Sequence, residues 1–182
     1  MLKTRDLLIR RGRADDLTPI VDYFGRNREH LAAFSPLRPA HFHSFDYWRA
    51  ALRQADEGFQ ADRQVHCFVF WHDESAVIGV VNLSNFVRGV FHACHLGYSI
   101  DREVQGTGRM SAAVEAVVQY AFHDLNLHRV MANYVPENER SGKLLERLGF
   151  VREGLAREYL RIAGQWRDHV LTARINPDWV DT

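Results

Sequence analysis

The sequence predicts a mixed α+β fold of about seven strands and four helices, and three observations lead there. Extended apolar runs and helix-spaced apolar stripes follow the order β-α-α-β-β-β-α-β-α-β-β, which is not the strict alternation of a doubly wound sheet. Two pairs of neighbouring extended runs are joined by turns of hairpin length, His72-Asp73-Glu74-Ser75 and Ala163-Gly164, so each pair is expected to run antiparallel. The 182 residues, 46% hydrophobic and 25% charged, suit one domain spanning 1–182 with a substantial core.

Leu7-Leu8-Ile9-Arg10 reads as the first strand. Asp15 and Asp16 open a helix with Leu17, Ile20, Val21 and Phe24 at helical spacing, and Gly25 is expected to end it. From Asn27 to His43 the pattern is irregular and contains Pro36, Pro39 and several aromatics, as in a locally packed loop. Helical spacing returns from Phe45 to Phe59 through Phe45, Trp48, Leu52 and Ala55, with Gly58 closing it. Val65–Trp71, Ala76–Phe86 and Phe91–Ile100 are extended. Ser111–Leu125 carries the clearest helical stripe: Ala113, Val114, Val117, Val118, Ala121 and Phe122. His128–Val135 reads as a strand stopped by Pro136. Glu139–Leu148 is a short helix with Gly149 just beyond it, where a left-handed residue is wanted. Phe150–Ile162 and Trp166–Arg174 form the last hairpin.

Composition narrows the functional classes. Twenty-three basic residues balance twenty-three acidic ones, so no global charge draws the chain to nucleic acid or membrane, and no helix-turn-helix or basic tail is present. No apolar stretch approaches the roughly 20 residues that span a bilayer, and the start lacks a signal-peptide run, so a cytoplasmic protein is expected. Cys67 and Cys94 lie inside apolar strands and are read as buried thiols without chemistry. The histidine pairs His41/His43 and His92/His95 have no further ligands at metal-site spacing, so no metal is expected. No motif fixes an oligomeric state.

Gln105-Gly106-Thr107-Gly108-Arg109-Met110 follows an extended run and opens a helix. The first N–H groups of a helix lack intrahelical partners and carry the positive end of its dipole, which suits a phosphate. Gly106 and Gly108 let a diphosphate approach without meeting a Cβ. An ordinary turn is the competing reading.

The turn resembles the glycine signature of the GNAT superfamily of acyl-CoA-dependent N-acyltransferases, with Gln105 and Gly108 in place and Met110 departing at the final small position. A second feature of that superfamily matches as well: a strand ending at Val135, then Pro136-Glu137-Asn138-Glu139-Arg140-Ser141 and a helix closing on Leu148-Gly149-Phe150. The closer likeness is to the RimJ-like branch of ribosomal-protein alanine N-acetyltransferases. It is carried by Asn85–Gly89, Phe91–Cys94, Leu96–Ile100, Met131–Tyr134 and Gly164–His169, and it covers nearly the whole length. The resemblance implies the GNAT fold, a single mixed and largely antiparallel sheet. It also implies acetyl-CoA as co-substrate and a protein α-amino group as acceptor, alanine-ended and from a small-subunit ribosomal protein. Attack is direct, in a ternary complex. Acetylation of a small amine, and a non-catalytic CoA-binding or ribosome-associated factor, are the alternatives.

The residues then take roles. Gln105, Gly106, Thr107, Gly108, Arg109 and Met110 hold the diphosphate, and the resemblance implies that the strand before them splays, freeing backbone groups of Tyr98, Ser99 and Ile100 for the pantetheine arm and thioester carbonyl. Asn138 bonds that arm, caps the next helix, or does both. Ser141 is placed to give a proton to the leaving thiolate, a role for which Tyr134 and water compete. Glu158 is the candidate general base, matching a glutamate proposed in a related branch; an ion pair with Arg157 or Arg161 is its bland reading, and a water chain could replace it. Asp168 reads as a structural acceptor or as a group that holds the substrate ammonium.

Overall fold

In the computed structural model, which describes residues 1–4 and 6–181, β5 (Ala93–Ile100) forms the pivot of the sheet. Upstream lie β1 (Leu2–Lys3), β2 (Leu7–Arg11), β3 (Val65–Trp71) and β4 (Val77–Val87); downstream lie β6 (Arg129–Met131), β7 (Val151–Ile162) and β8 (Gln165–Ile175). These described strands form one sheet in the order β1-β2-β3-β4-β5-β6-β8-β7, antiparallel throughout except where β6 pairs parallel to β5. The helices are α1 (Leu17–Arg26), α2 (Arg28–Ala32), α3 (Phe45–Gln60), α4 (Arg109–His123) and α5 (Glu139–Arg147). No helix among the described residues is long and apolar enough to cross a membrane.

The period of two along β2 to β5 feeds two cores. Leu7, Ile9, Cys67, Val69, Val81, Leu83, Cys94 and Leu96 pack with the buried stripe of α4, from Ala113 to Phe122. Leu8, Phe68, Phe70 and Val80 pack on the opposite face with Ile20 and Phe24 of α1, Phe42, and Trp48 of α3. Both faces are buried, so these strands read as continuous apolar runs and not as alternating ones. Burial of each Val, Leu or Phe side chain contributes about 1.5–3 kcal/mol, and α4 and α1/α3 are held on by this term far more than by propensity.

The outline expected from the sequence is present, with local corrections. The two-residue β1 pairs with β2, giving eight described strands in place of about seven. Gly25 does not end the first helix, which runs to Arg26; the break falls at buried Asn27, whose Nδ2 donates to the Tyr23 carbonyl while its Oδ1 accepts from the Arg102 N–H. Five residues expected in the following loop form α2. Gly58 lies inside α3, because a Cβ there would stand 2.3 Å from the Gln64 side chain. Gly149 follows α5 at φ +76°, as expected of a helix end.

The strand expected from His128 to Val135 pairs with β5 only through Arg129–Met131. Beyond Met131 the chain leaves β5 and follows β8, with Ala132 N–H donating to Thr172 and an isolated bridge from Tyr134 to Val170. β5 and β6 therefore diverge.

Candidate active site

The divergence leaves Leu96–Ile100 paired with β4 alone. The Asp101 N–H donates to the Ile78 carbonyl at 2.8 Å, which sets the alternation of that ladder. Peptide groups of Gly97 and Ser99 thus face β4, while those of Tyr98 and Ile100 face the opening. A cleft of about 670 Å³ enters there, bounded by this strand edge, the glycine turn, α5 and the segment around Phe34 and Ser35.

The floor of the cleft is the start of α4. Gly106 (φ +75°) and Gly108 (φ +79°) are left-handed, and no atom lies within 4 Å of where a Cβ would stand on either. Gly108 is the N-cap, so the first amides of α4 have no helical acceptor and the positive end of its dipole meets the cleft. A Cβ-free cradle of this kind fits a diphosphate. The Thr107 Oγ1 donates to the Val104 carbonyl at 2.7 Å and holds the turn. The Gln105 side chain spans the mouth, from His30 Nε2 at 2.9 Å to the Arg140 guanidinium at 2.5 Å.

Arg109 turns its side chain away, to Asp6 at 3.2 Å and the Trp71 ring at 4.8 Å, leaving its position at the helix start as its link to the site. Met110, the departure from the glycine signature, is 93% buried, and its Cε would stand 3.0 Å from a Cβ at position 79. Gly79 makes room for it, so the large residue is absorbed into the core below the cleft.

Across the opening stands the first turn of α5. Asn138 caps it, Oδ1 accepting from the Ser141 N–H at 3.3 Å. Ser141 Oγ is 2.6 Å from the Tyr98 hydroxyl. Burial pushes the Tyr98 phenol up to about 12, with the Ser141 hydrogen bond pulling the other way, so this phenol keeps its proton at neutral pH. Tyr134 lies over Gly142: a Cβ at that glycine would be 2.8 Å from its hydroxyl. Three hydroxyls thus gather at one helix N-terminus, where a developing thiolate is favoured.

Glu158 stands apart. It is exposed on a bulge of β7 at φ +45°, its N–H donating to Asp168 Oδ1 at 2.9 Å, and it is not among the residues lining the cleft. Asp168 is accordingly a structural acceptor for that bulge.

A family model described as the acetyltransferase (GNAT) domain matches residues 6–151. The chain belongs to the GNAT acetyltransferases. It is 45% identical over 98% of its length to the [ribosomal protein uS5]-alanine N-acetyltransferase of Escherichia coli, covering 92% of that protein. It is 34% identical to the probable N-acetyltransferase YjcK of Bacillus subtilis, over 98% of both chains. The crystal structure of the ribosomal-protein-S5-alanine acetyltransferase of Vibrio fischeri superposes with a TM-score of 0.94 at 42% identity, covering 98% of each chain. GNAT acetyltransferases use acetyl-CoA, and the open cradle of this GNAT chain fits its diphosphate.

Three features of this GNAT site escaped the sequence reading. Tyr98 was expected to offer only its backbone, yet its side chain holds Ser141. Arg140, Lys143 and Arg147 line the cleft from one face of α5 and give it a positive rim; their i, i+3, i+7 spacing was the available signal. His30 reaches the turn from α2, and nothing in sequence links positions 30 and 105.

Proposed function

We propose that this enzyme transfers the acetyl group of acetyl-CoA to the N-terminal α-amino group of a cytoplasmic protein, an alanine-ended ribosomal protein, by direct attack in a ternary complex. The observation that carries the reading is the Tyr98–Ser141 hydroxyl pair at the N-terminus of α5, facing the splayed edge of β5. Likeness along nearly the whole chain to enzymes named for alanine N-acetylation supports the acceptor.

The residues divide the work. Amides from Gly106 to Met110 receive the diphosphate, and Arg140, Lys143 and Arg147 answer the remaining negative charge. Asn138 and the free peptide groups of Tyr98 and Ile100 receive the pantetheine arm and polarise the thioester carbonyl. The acceptor nitrogen forms its bond to the carbonyl carbon as the C–S bond breaks. Ser141 gives its proton to the departing sulfur, Tyr98 resupplies Ser141, and Tyr98 regains a proton from water in the cleft. An α-amino group with a pKa of about 7.7–8.0 is already partly neutral near pH 7, so the demand on a base is modest. With Glu158 exposed on its bulge and outside the lining of the cleft, the amine proton passes to water at the cleft mouth. Burial pushes the Cys67 and Cys94 thiols up to about 12, which argues against an acetyl-cysteine intermediate.

The test is acetyl-CoA turnover with an alanine-ended peptide beside a panel of polyamines, amino acids and aminoglycosides. The peptide is expected to be acetylated far faster than any of the panel; activity confined to the small amines overturns the reading.

A further inference from the structure

Ser99 lines the cleft but sends its side chain to the opposite face of the sheet from Tyr98, where Oγ meets the Tyr23 hydroxyl at 2.9 Å. That face continues as a polar strip beyond the α1/α3 core. His66 on β3 stands opposite Asn82 on β4, Asn82 opposite Gly97 on β5, and Ser84 opposite His95. Alternation puts His66, Asn82, Ser84, His95, Gly97 and Ser99 all on this one face. Nothing lies within 4 Å of where a Cβ on Gly97 would stand, so the strip is open at its centre.

Five buried side-chain polar atoms among the described residues have no hydrogen-bond partner within the protein. Four of them, His43 Nδ1, Trp48 Nε1, Asn82 Oδ1 and His95 Nδ1, belong to this face or to the loop and helix above it. Buried polar atoms without partners are rare and call for something that satisfies them. Burial and the Arg38 charge pull His66 down to about 4, and burial, Arg28 and Arg38 lower His43, so these imidazoles are neutral.

Arg38 is the charged member of the strip. It sits between Pro36 and Pro39 in the segment that continues from the cleft wall at Ser35. Its guanidinium lies 4.5 Å from the Phe42 ring and 5.8 Å from that of Phe24, and it makes no hydrogen bond or ion pair to any described residue. Lost hydration pulls its pKa below the usual value, and the only groups that oppose this are Tyr47 and Tyr23. Some arginines of this chain meet carboxylates, Arg10 with Asp16, Arg26 with Asp101 and Arg174 with Glu115, and Arg38 is among those that do not. Arg38 is exposed, so this cation, seated on aromatic faces with no counter-charge among the described residues, is open to an anion that arrives from outside.

We propose that Arg38 selects acceptors bearing an acidic side chain in the second to fourth position, held as the chain leaves the cleft past Ser99 and runs along the neutral polar strip. This rests on the protein N-terminus as acceptor. An extended chain advances about 3.3 Å per residue, and Tyr23, whose hydroxyl meets Ser99, also bears on the Arg38 charge, so the residues that follow an amine at the Tyr98–Ser99 edge run toward Arg38. Asn82 and His95, both half-buried, line this path, and the neutral histidines add no charge that would compete with Arg38 for the carboxylate.

The test uses the full chain, acetyl-CoA and alanine-ended octapeptides that differ only in Glu or Gln at position two, three or four. At one position Glu is expected to raise kcat/KM about tenfold over Gln, the scale of one charge-assisted pair. The preference shrinks as salt rises. In Arg38→Gln the Glu/Gln ratio falls to about one, and in Arg38→Glu it inverts, with the Gln peptide turned over faster. Equal turnover of Glu and Gln peptides by the wild-type chain overturns the proposal without needing any variant. A Glu preference that survives in Arg38→Gln also overturns it, leaving the peptide-acceptor reading intact. If no peptide is acetylated while acetyl-CoA still raises the melting temperature, the acceptor reading itself fails, and this proposal with it.

Discussion

Replacing Ser141 by Ala removes the hydroxyl that stands 2.6 Å from Tyr98, and it separates chemistry from stability cleanly. Tyr98 is half-buried, and after the change the nearest acceptor of its hydroxyl is the Ser141 carbonyl at 3.4 Å, a long contact. A partner that is weakened but not abolished corresponds to about 1 kcal/mol, or about 2–4 °C in melting temperature for a chain of this size. At 25 °C the variant stays folded. A general acid contributes about 10²- to 10⁴-fold, so kcat is expected to fall at least about a hundredfold with the KM for acetyl-CoA within about threefold. Tyr98→Phe, acting through Ser141, should lose about tenfold, and the double variant should match Ser141→Ala alone. Because burial holds the Tyr98 phenol up at about 12, kcat/KM rises as the acceptor amine deprotonates near pH 7.7–8.0 and shows no descending limb from this phenol before pH 10. Steady-state kinetics on the four proteins decide the matter. A Ser141→Ala kcat within threefold of wild type, or losses that multiply in the double variant, would refute the relay; a hundredfold loss in Tyr134→Phe instead would move the donor to Tyr134.

Two further predictions concern the cradle and the acid limb of stability. Gly108→Glu places a carboxylate where the diphosphate must approach and forces an L side chain to φ +79°; acetyl-CoA should no longer raise the melting temperature, with a stability loss of about 1–2 kcal/mol, and retained binding by calorimetry would refute the cradle. His66, held at about 4 in the fold against 6.5 unfolded, stays neutral while the unfolded chain takes up a proton, so its share of stability is complete above pH 6.5 and is lost as pH falls toward 4. That share is roughly 3 kcal/mol, or about 6–12 °C, and His66→Gln should flatten the melting curve between pH 6.5 and 4.5; parallel decline in both proteins would refute it.

The parts of the molecule that were legible in the sequence are those whose cause is local. The α4 stripe has a period that only a helix satisfies, and the Gly106/Gly108 turn carries a left-handed requirement that glycine advertises. Asn138 announces a cap three residues before Ser141. What stayed hidden depends on tertiary placement. The glycines at 25 and 58 read as helix ends, yet Asn27 makes the break after α1, and Gly58 is fixed by Gln64 packing across the turn to β3. Met110 looked like a flaw in the glycine signature until Gly79, thirty-one residues earlier, was seen to make room for it. Glu158 looked well placed on a strand near the cleft, but a bulge, which sequence periodicity does not reveal, turns that part of β7 outward.

The most consequential feature is the short parallel register of β5 and β6, since three paired residues decide where the sheet opens. Had the pairing continued past His95, the peptide groups of Tyr98 and Ile100 would be spent on β6 and no edge would face the cleft. The opening also makes adjacent residues serve opposite faces. Tyr98 reaches Ser141 on the side of α4 and α5, and Ser99 reaches Tyr23 on the side of α1 and α3. In the proposed reaction, a donor held on the first face and an acceptor arriving along the second would meet across the thickness of a single strand. The loop from Arg38 to His43 lies toward the second path, so substitutions there should alter which acceptors are used while leaving the grip on acetyl-CoA to the glycine turn and α5.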